Sequence, residues 1–245
     1  MNRQLNIALV GNPNSGKSSL FNSLTGLNQK VGNFPGVTVD KKTGTSKISD
    51  KLISKIIDLP GTYSLYPKRN DEWVSYKVLL DQDPHIKSDI IVLVADASNL
   101  KRNLLFCSQI IDLKRPVVIA LTMMDIARKK GIEIDVPGLE RELGVPVVAV
   151  DARKNKGLLQ LKKALAQTAR QQYQAPKWDF IENKELAPKA IESVQKLFPE
   201  LSDYGSVHYL INHESFPLNT AMQDAVEQIE IENKFNPTKT QAEEI

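Results

Sequence analysis

Residues 11–18 read Gly-Asn-Pro-Asn-Ser-Gly-Lys-Ser, and this octapeptide constrains the fold more than any other part of the chain. It follows an apolar run, Leu5–Val10, that has the pattern of a buried strand. After it, the segment Ser19–Leu24 carries apolar residues at helical spacing. A strand, a glycine-rich loop and a helix in this order are the context that a phosphate-binding P-loop requires. Backbone N–H groups of such a loop and the helix N-terminus can together bind phosphate oxygens.

The composition bounds the class of protein. The chain has 245 residues, of which 41% are hydrophobic and 25% charged, as in a soluble globular protein. The net charge of +3 is too small to indicate nucleic-acid binding, and no nucleic acid is expected as a partner. The single cysteine, Cys107, excludes an internal disulfide and fits a reducing compartment. The N-terminus does not resemble a signal peptide, and no apolar run approaches the ~20 residues that span a bilayer. We therefore expect a soluble, cytosolic chain.

Strand and helix patterns alternate from Leu5 to about Arg170. The segments 42–48 and 52–59 predict two strands of a hairpin, and the apolar runs 90–95, 116–121 and 145–150 predict strands buried on both faces. Such alternation predicts an α/β fold with a mixed, mostly parallel, doubly wound sheet, in which the hairpin makes one strand antiparallel.

The pattern changes near Ala175. From there apolar residues recur only at helical spacing, as in Ile191, Val194 and Leu197 and again in Met222 and Val226. We predict an α/β domain over residues 1–172 and a small all-helical domain over residues 173–245. The last residues, 236–245, are expected to be frayed or cut.

Three short motifs in chain order predict a nucleotide site. The Lys17 ammonium is expected on the β- and γ-phosphates, and the Ser18 hydroxyl on a magnesium ion. Residues 58–61 read Asp-Leu-Pro-Gly at the end of the second hairpin strand, which places the Asp58 carboxylate near magnesium and the Gly61 N–H near the γ-phosphate. Thr38 lies in the polar, glycine-bearing segment between these motifs, where a second magnesium ligand of a nucleotide switch belongs.

The longer strings Gly11–Ser18, Val31–Val39 and Asp58–Leu65 resemble the N-terminal cytosolic part of the ferrous iron transport protein B family, and the pair Asp71-Glu72 also fits. The resemblance implies a P-loop domain that binds GTP and GDP and hydrolyses GTP, followed by a helical domain that leads into a membrane-embedded transporter domain. That membrane domain is absent from these 245 residues. We therefore expect a piece of a longer chain that regulates ferrous iron uptake on the cytosolic side of the bacterial inner membrane. Self-association is left open.

The resemblance also implies roles for individual residues. Those expected to act in hydrolysis are Asn14, Lys17, Thr38 and Gly61. Those expected to bind the nucleotide are Asn12, Asn14, Ser15, Gly16, Lys17, Ser18, Ser19, Gly36, Val37, Thr38, Asp58, Gly61, Thr122, Met123, Asp125, Asp151, Ala152 and Arg153. The expected magnesium ligands are Ser18, Thr38 and Asp58, and the expected ligand of a potassium ion is Asn14.

Both base-reading motifs depart from the family's pattern. Where the family has Asn-x-x-Asp, residues 122–125 read Thr-Met-Met-Asp. Asp125 can accept from the N1–H and N2–H₂ donors of guanine, but Thr122 lacks the amide that would bind the base edge and tie this loop to the P-loop. Where the family has Ser-Ala-x, residues 151–153 read Asp-Ala-Arg. The Ala152 N–H can donate to guanine O6, while Asp151 brings a second carboxylate near Asp125. Guanine preference is expected to be weaker than usual.

The position after Gly61 holds Thr62, whereas many GTPases have there a glutamine that orients the attacking water. No arginine in the switch loops is an obvious source of compensating charge. Related GTPases therefore suggest a potassium ion held by the Asn14 side chain. Two alternatives stay open: a free-standing GTPase of ribosome or RNA maintenance, and a nucleotide switch with negligible turnover.

Overall fold

A computed structural model describes residues 3–26, 29–35, 37–170, 173–182 and 187–244. Within these ranges the chain forms a seven-stranded sheet with the strand order β2-β3-β4-β1-β5-β6-β7. The strands are β1 (Arg3–Gly11), β2 (Gln29–Asn33), β3 (Asp40–Ser49), β4 (Leu52–Asp58), β5 (Ile90–Asp96), β6 (Val117–Thr122) and β7 (Val147–Ala149).

The sheet is mixed and mostly parallel, as predicted. Strand β3 pairs antiparallel with both β2 and β4, whereas β4, β1, β5, β6 and β7 pair parallel in succession. Only β3 therefore runs against the others, and it belongs to the predicted hairpin. Strand β2 was not predicted. Its sequence, Gln-Lys-Val-Gly-Asn, lies at the sheet edge with all five residues exposed, so it carries no alternation of apolar and polar residues.

Helices cover both faces of the sheet. They are α1 (Lys17–Thr25), α2 (Asn70–Leu79), α3 (Leu100–Asp112), α4 (Met124–Lys129), α5 (Val136–Leu143) and α6 (Leu158–Arg170). Because successive strand residues point to opposite faces, Ile7 and Leu9 of β1 pack in the apolar cluster of α1 and α6, while Ala8 and Val10 pack in that of α2 and α3. The doubly wound arrangement is confirmed.

From residue 173 onward the described residues contain no strand, and from residue 188 they form a series of helices. The helices are α7 (Pro188–Leu197), α8 (Asp203–Asn212), α9 (Thr220–Asn233) and α10 (Pro237–Glu244). Several of their buried residues, among them Val194, Tyr204 and Val226, belong to the same apolar cluster as α2 and α3. Helix α10 occupies most of the segment that was expected to be frayed or cut, so the expectation of fraying is wrong. The domain boundary at residues 172 and 173 stays a prediction. None of the helices in the described ranges combines the length and the apolar character needed to cross a bilayer.

The buried Asp112 carboxylate anchors the segment that precedes these helices. It accepts hydrogen bonds from the N–H groups of Phe180 (2.9 Å) and Ile181 (2.9 Å), and the Lys114 ammonium lies 3.5 Å away. Burial raises the pKa of Asp112 to about 6. The segment 173–182 is thus held against the C-terminal end of α3.

Candidate nucleotide-binding site

The P-loop joins β1 to α1 at the carboxyl edge of the sheet, where ligands bind in open α/β folds. Gly11 has no room for a side chain, because a Cβ there would lie 2.4 Å from the carbonyl oxygen of Val94. Gly16 has a φ of 86°, in the left-handed region that favours glycine. The two glycines of the motif are therefore required by close approach and by backbone conformation, respectively.

Polar groups of this loop lack protein partners. Both amide atoms of Asn12 and the hydroxyl of Ser15 are buried without a hydrogen bond to any described residue. Buried polar groups are normally paired with protein or with a bound molecule. Asn12 also lines a cavity, described below, which Ser15 does not. The orphaned groups fit a loop completed by a ligand.

Lys17 and Asp58 form an ion pair at the centre of the site. Asp58 is the last residue of β4, opposite Leu9 of β1, and Lys17 is the first residue of α1. Their side chains are only 8% and 12% exposed, respectively. The ion pair thus lies where the sequence predicts phosphates and magnesium. When a nucleotide binds, Lys17 would leave Asp58 for the phosphates, and Asp58 would leave Lys17 for the magnesium ion.

Three adjoining cavities surround this pair. The first, of about 440 Å³, is lined by Lys17, Thr38, Val39, Asp40, Lys42, Asp58, Leu59, Pro60 and Asp71. The second, of about 620 Å³, is lined by Asn12, Pro13, Asn14, Gly16, Lys17, Ser18, Ser19, Gly61, Arg69, Asp71, Met123 and Arg153. The third, of about 220 Å³, is lined by Gly16, Ser19, Thr122, Met123, Asp125, Ile126, Val150, Asp151, Ala152, Arg153 and Lys154. Because neighbouring cavities share lining residues, they form one elongated site, with the P-loop in the middle and the base-reading loops at one end.

The loop after Asp58 meets the P-loop through backbone contacts. The Thr62 N–H donates to the Gly11 carbonyl (3.3 Å), and a Cβ on Gly61 would lie 3.3 Å from Pro13. Thr62 is buried, and its hydroxyl donates to the Ser64 carbonyl (2.8 Å). That hydroxyl is therefore engaged within its own loop and does not replace the missing glutamine.

The same loop packs between α3 and α8. The Leu65 N–H donates to Gln109 Oε1 (2.9 Å), and the Tyr66 ring lies 5.2 Å from the His208 ring. His208 Nδ1 lies 3.2 Å from the Tyr76 hydroxyl. Burial lowers the pKa of His208 to about 3, so this ring is neutral. The loop beside the phosphate cavity is thus in direct contact with the helical segment.

Thr122 corrects one expectation from the sequence. Its hydroxyl lies 2.6 Å from the carbonyl of Ser15 and 3.1 Å from that of Ala95. A hydroxyl has a single proton, so it donates to one carbonyl at a time, and Ser15 is the closer. The expectation that residue 122 cannot tie this loop to the P-loop is therefore wrong, because the threonine hydroxyl makes the tie without an amide.

Asp125 and Asp151, the two carboxylates predicted to lie near the base, both line the third cavity. Asp151 is engaged, since its carboxylate accepts from the Lys154 N–H (3.1 Å) and lies 3.8 Å from the Lys154 ammonium. The Ala152 carbonyl accepts from Ser23 of α1 (2.9 Å). Asp125 lies in the first turn of α4 and is exposed. Lys154 thus partly offsets the charge of Asp151, which reduces the repulsion between Asp151 and Asp125.

Some predicted residues lie away from the cavities. Val37 packs against the hydrophobic core, and Ser15 is a buried residue of the P-loop whose carbonyl accepts from the Thr122 hydroxyl. Gly36 lies outside the described residues. Sequence reasoning missed Arg69, which lines the second cavity. The sequence feature that could have indicated Arg69 is its positive charge only eight residues after Gly61.

The donor set fits magnesium, which prefers hydroxyl and carboxylate oxygens supplemented by phosphate. Thr38 and Asp58 line the first cavity and Ser18 the second. Among the described residues, no group of three or more histidine, cysteine, aspartate or glutamate side chains could hold a metal ion by itself.

Comparisons with known proteins agree on one family. A family model described as "Ferrous iron transport protein B" matches residues 5–165. The Fe(2+) transporter FeoB of Leptospira biflexa is 43% identical over 178 residues, which are 73% of this chain and 25% of that protein. The chain thus spans about a quarter of the length of this curated relative. A variant of S. thermophilus NFeoB bound to mGDP has a TM-score of 0.78 at 35% identity, covering 99% of this chain and 95% of that one. The cytosolic domain of L. pneumophila FeoB has a TM-score of 0.76 at 33% identity, covering 92% and 88%.

Proposed function

The chain belongs to the ferrous iron transport protein B family, and on this premise we propose that it binds and hydrolyses GTP to regulate ferrous iron transport through a membrane-embedded part of the same protein. The Leptospira biflexa relative is named an Fe(2+) transporter and is about four times as long as the matched region. The S. thermophilus neighbour is bound to mGDP. Both support this assignment over a free-standing GTPase of RNA maintenance.

One observation carries the proposal: the P-loop, the Asp-x-x-Gly loop and the two base-reading loops line a single elongated site. Lys17 lies at the junction of the first two cavities, where its ammonium would bind the β- and γ-phosphates. Asp125 lies at the other end, where its carboxylate would accept from guanine N1–H and N2–H₂. Adenine offers no such pair of donors, so guanine is favoured.

Two cations complete the proposal. Ser18, Thr38 and Asp58 would hold a magnesium ion, and the Asn14 side chain, which lines the phosphate cavity, would hold a potassium ion. When bound, the cations would neutralise charge on the phosphate oxygens. Asn14 has a φ of 65°, a conformation that asparagine tolerates better than most residues, and it presents its side chain in the same loop as Lys17.

Phosphate release from GTP, measured in potassium and in sodium at equal ionic strength, tests the proposal. We expect turnover with GTP that exceeds turnover with ATP, and faster turnover in potassium. Asn14→Ala should remove the difference between the two salts while nucleotide binding stays nearly unchanged. Equal rates in both salts would refute the potassium site. GTP binding without phosphate release would favour the nucleotide switch with negligible turnover.

A further inference from the structure

Arg69 brings a second cationic side chain to the phosphate cavity. It lines the cavity of about 620 Å³ together with Lys17, Ser18 and Gly61. Arg69 is the residue just before α2, at the end of the loop that contains Gly61, whereas Lys17 is the first residue of α1. The Arg69 side chain is 59% exposed, so it is accessible to a ligand in the cavity.

Carboxylates hold the Arg69 guanidinium at the cavity. Glu72 Oε1 lies 3.1 Å from Nη2 and 3.3 Å from Nε, and Asp71 Oδ1 lies 3.6 Å from Nε. Glu72 is itself buried and fixed, since its other oxygen accepts from the Lys68 N–H (2.7 Å). These contacts use two of the five N–H donors of the guanidinium. The guanidinium is therefore oriented through its Nε and Nη2 edge, and its remaining N–H groups can donate to an anion.

Hydrolysis of GTP places negative charge on phosphate oxygens, which protein donors can stabilise beside the proposed cations. The oxygen of water forms a bond to the γ-phosphorus while the bond from phosphorus to the β–γ bridging oxygen breaks. That oxygen keeps the electron pair as GDP leaves, and the water proton passes to the inorganic phosphate or to solvent. Negative charge develops on these oxygens in the transition state, and preorganised donors there lower the barrier. Thr62, whose hydroxyl is bonded to the Ser64 carbonyl, supplies none.

We propose that Arg69 is a catalytic residue that donates from its guanidinium to the γ-phosphoryl oxygens in the transition state, as an arginine supplied by the same chain. The inference rests on the proposed GTP hydrolysis and adds one residue to it. The donors that Glu72 and Asp71 leave free can meet the γ-phosphoryl oxygens, and because negative charge on these oxygens increases in the transition state, the contact is stronger there than with bound GTP. The effect therefore falls on kcat rather than on KM.

The test compares Arg69→Ala and Arg69→Lys with the parent by phosphate release under saturating GTP and by direct binding of GTP. A catalytic arginine contributes about 1,000-fold or more in other GTPases. Because Arg69 is partly exposed, we expect kcat to fall roughly 100-fold in Arg69→Ala and less in Arg69→Lys, with GTP affinity changed by no more than about 3-fold. Added guanidinium ion should partly restore the rate of Arg69→Ala. Arg141→Ala is the matched control, since Arg141 is 73% exposed and lines none of the three cavities.

A second measurement does not depend on turnover. GDP with aluminium fluoride imitates the transferring phosphoryl group, and the complex should form with the parent and with Arg141→Ala but not with Arg69→Ala. Urea denaturation checks that each variant is folded. If the parent hydrolyses GTP and Arg69→Ala keeps its kcat, or loses only affinity, the role of Arg69 is refuted and the proposed function stands. If the parent itself releases no phosphate from GTP, the proposed hydrolysis fails first, and that result is visible before any variant is made.

Discussion

Replacing Lys17 by alanine removes the ammonium that the structure pairs with Asp58. Two charge-assisted contacts to phosphates are lost, each contributing about 1.5–3 kcal/mol. Their sum, about 3–6 kcal/mol, corresponds to roughly 150- to 20,000-fold weaker GTP binding. In the parent, GTP binding must first separate Lys17 from Asp58, which offsets part of the free energy that Lys17 contributes to binding. We therefore expect the lower end of this range.

The same substitution has a second effect that is independent of nucleotide. It leaves the Asp58 carboxylate, 8% exposed, without its cation. Removing one partner of a buried ion pair costs about 3–5 kcal/mol. Since Asp58 also lines a cavity that water can enter, we expect Lys17→Ala to lower the free energy of unfolding by about 3 kcal/mol, the low end of that range.

The double variant Lys17→Ala/Asp58→Asn separates the two effects. It removes the uncompensated charge, so urea denaturation without nucleotide should show most of the lost stability recovered. Calorimetry should show that GTP binding is not recovered. Lys47→Ala is the matched control, because Lys47 and Asp50 form an ion pair of 2.7 Å on the surface, with side chains 67% and 94% exposed. Such exposed pairs contribute about 1 kcal/mol or less.

Two results would refute this reasoning. Unchanged GTP affinity in Lys17→Ala would show that the P-loop assignment is wrong. A double variant as unstable as the single one would show that the charge of Asp58 is not what destabilises Lys17→Ala.

Three further predictions concern magnesium, the base and pH. Ser18→Ala should bind GTP weakly and equally with or without magnesium in a titration, and retained magnesium dependence would remove Ser18 from the ligands. Thr122→Asn, whose amide can still donate to the Ser15 carbonyl, and Asp151→Ser should each tighten GDP binding by about 1 kcal/mol, which fluorescence titration checks; if neither does, the base is read in another way. The pKa of His208 is lowered to about 3, below the unfolded value of about 6.5. Its contribution to stability is therefore complete above pH 6.5 and falls by roughly 3 kcal/mol by pH 4.5. Urea denaturation of His208→Phe should show a smaller loss over this range, and identical pH profiles would contradict the assignment.

The parts of the site that the sequence predicted are those that short motifs encode. The residues at 11–18 and 58–61 must combine glycines, a lysine, a hydroxyl and a carboxylate at fixed spacing, and the structure places both motifs at one sheet edge. The doubly wound sheet could also be predicted from the sequence, because strands such as β5 and β6 are continuous apolar runs. Strand β2 could not, since an exposed edge strand has no buried face to impose a pattern.

Contacts between distant residues account for the rest. Thr122 contacts Ser15 across 107 positions of sequence, and no local pattern shows that its hydroxyl can replace an amide there. The side chain of Arg69 reaches the phosphate cavity because Glu72 orients it, and this depends on the position of α2 against the sheet. Substitutions in a motif are thus poorly judged by residue type alone, because the same tie can be made by a different group.

Tyr66, in the loop after Asp58, contacts the buried ring of His208 in α8. The position of this loop is therefore coupled energetically to the helical segment. A nucleotide that displaces this loop also has to separate the two rings and break the hydrogen bond from Leu65 to Gln109. The free energy of that separation is subtracted from the affinity for that nucleotide. A partner that holds α8 in place would therefore raise the affinity for a nucleotide that leaves the loop undisturbed. By linkage, that nucleotide would raise the affinity for the partner by the same factor.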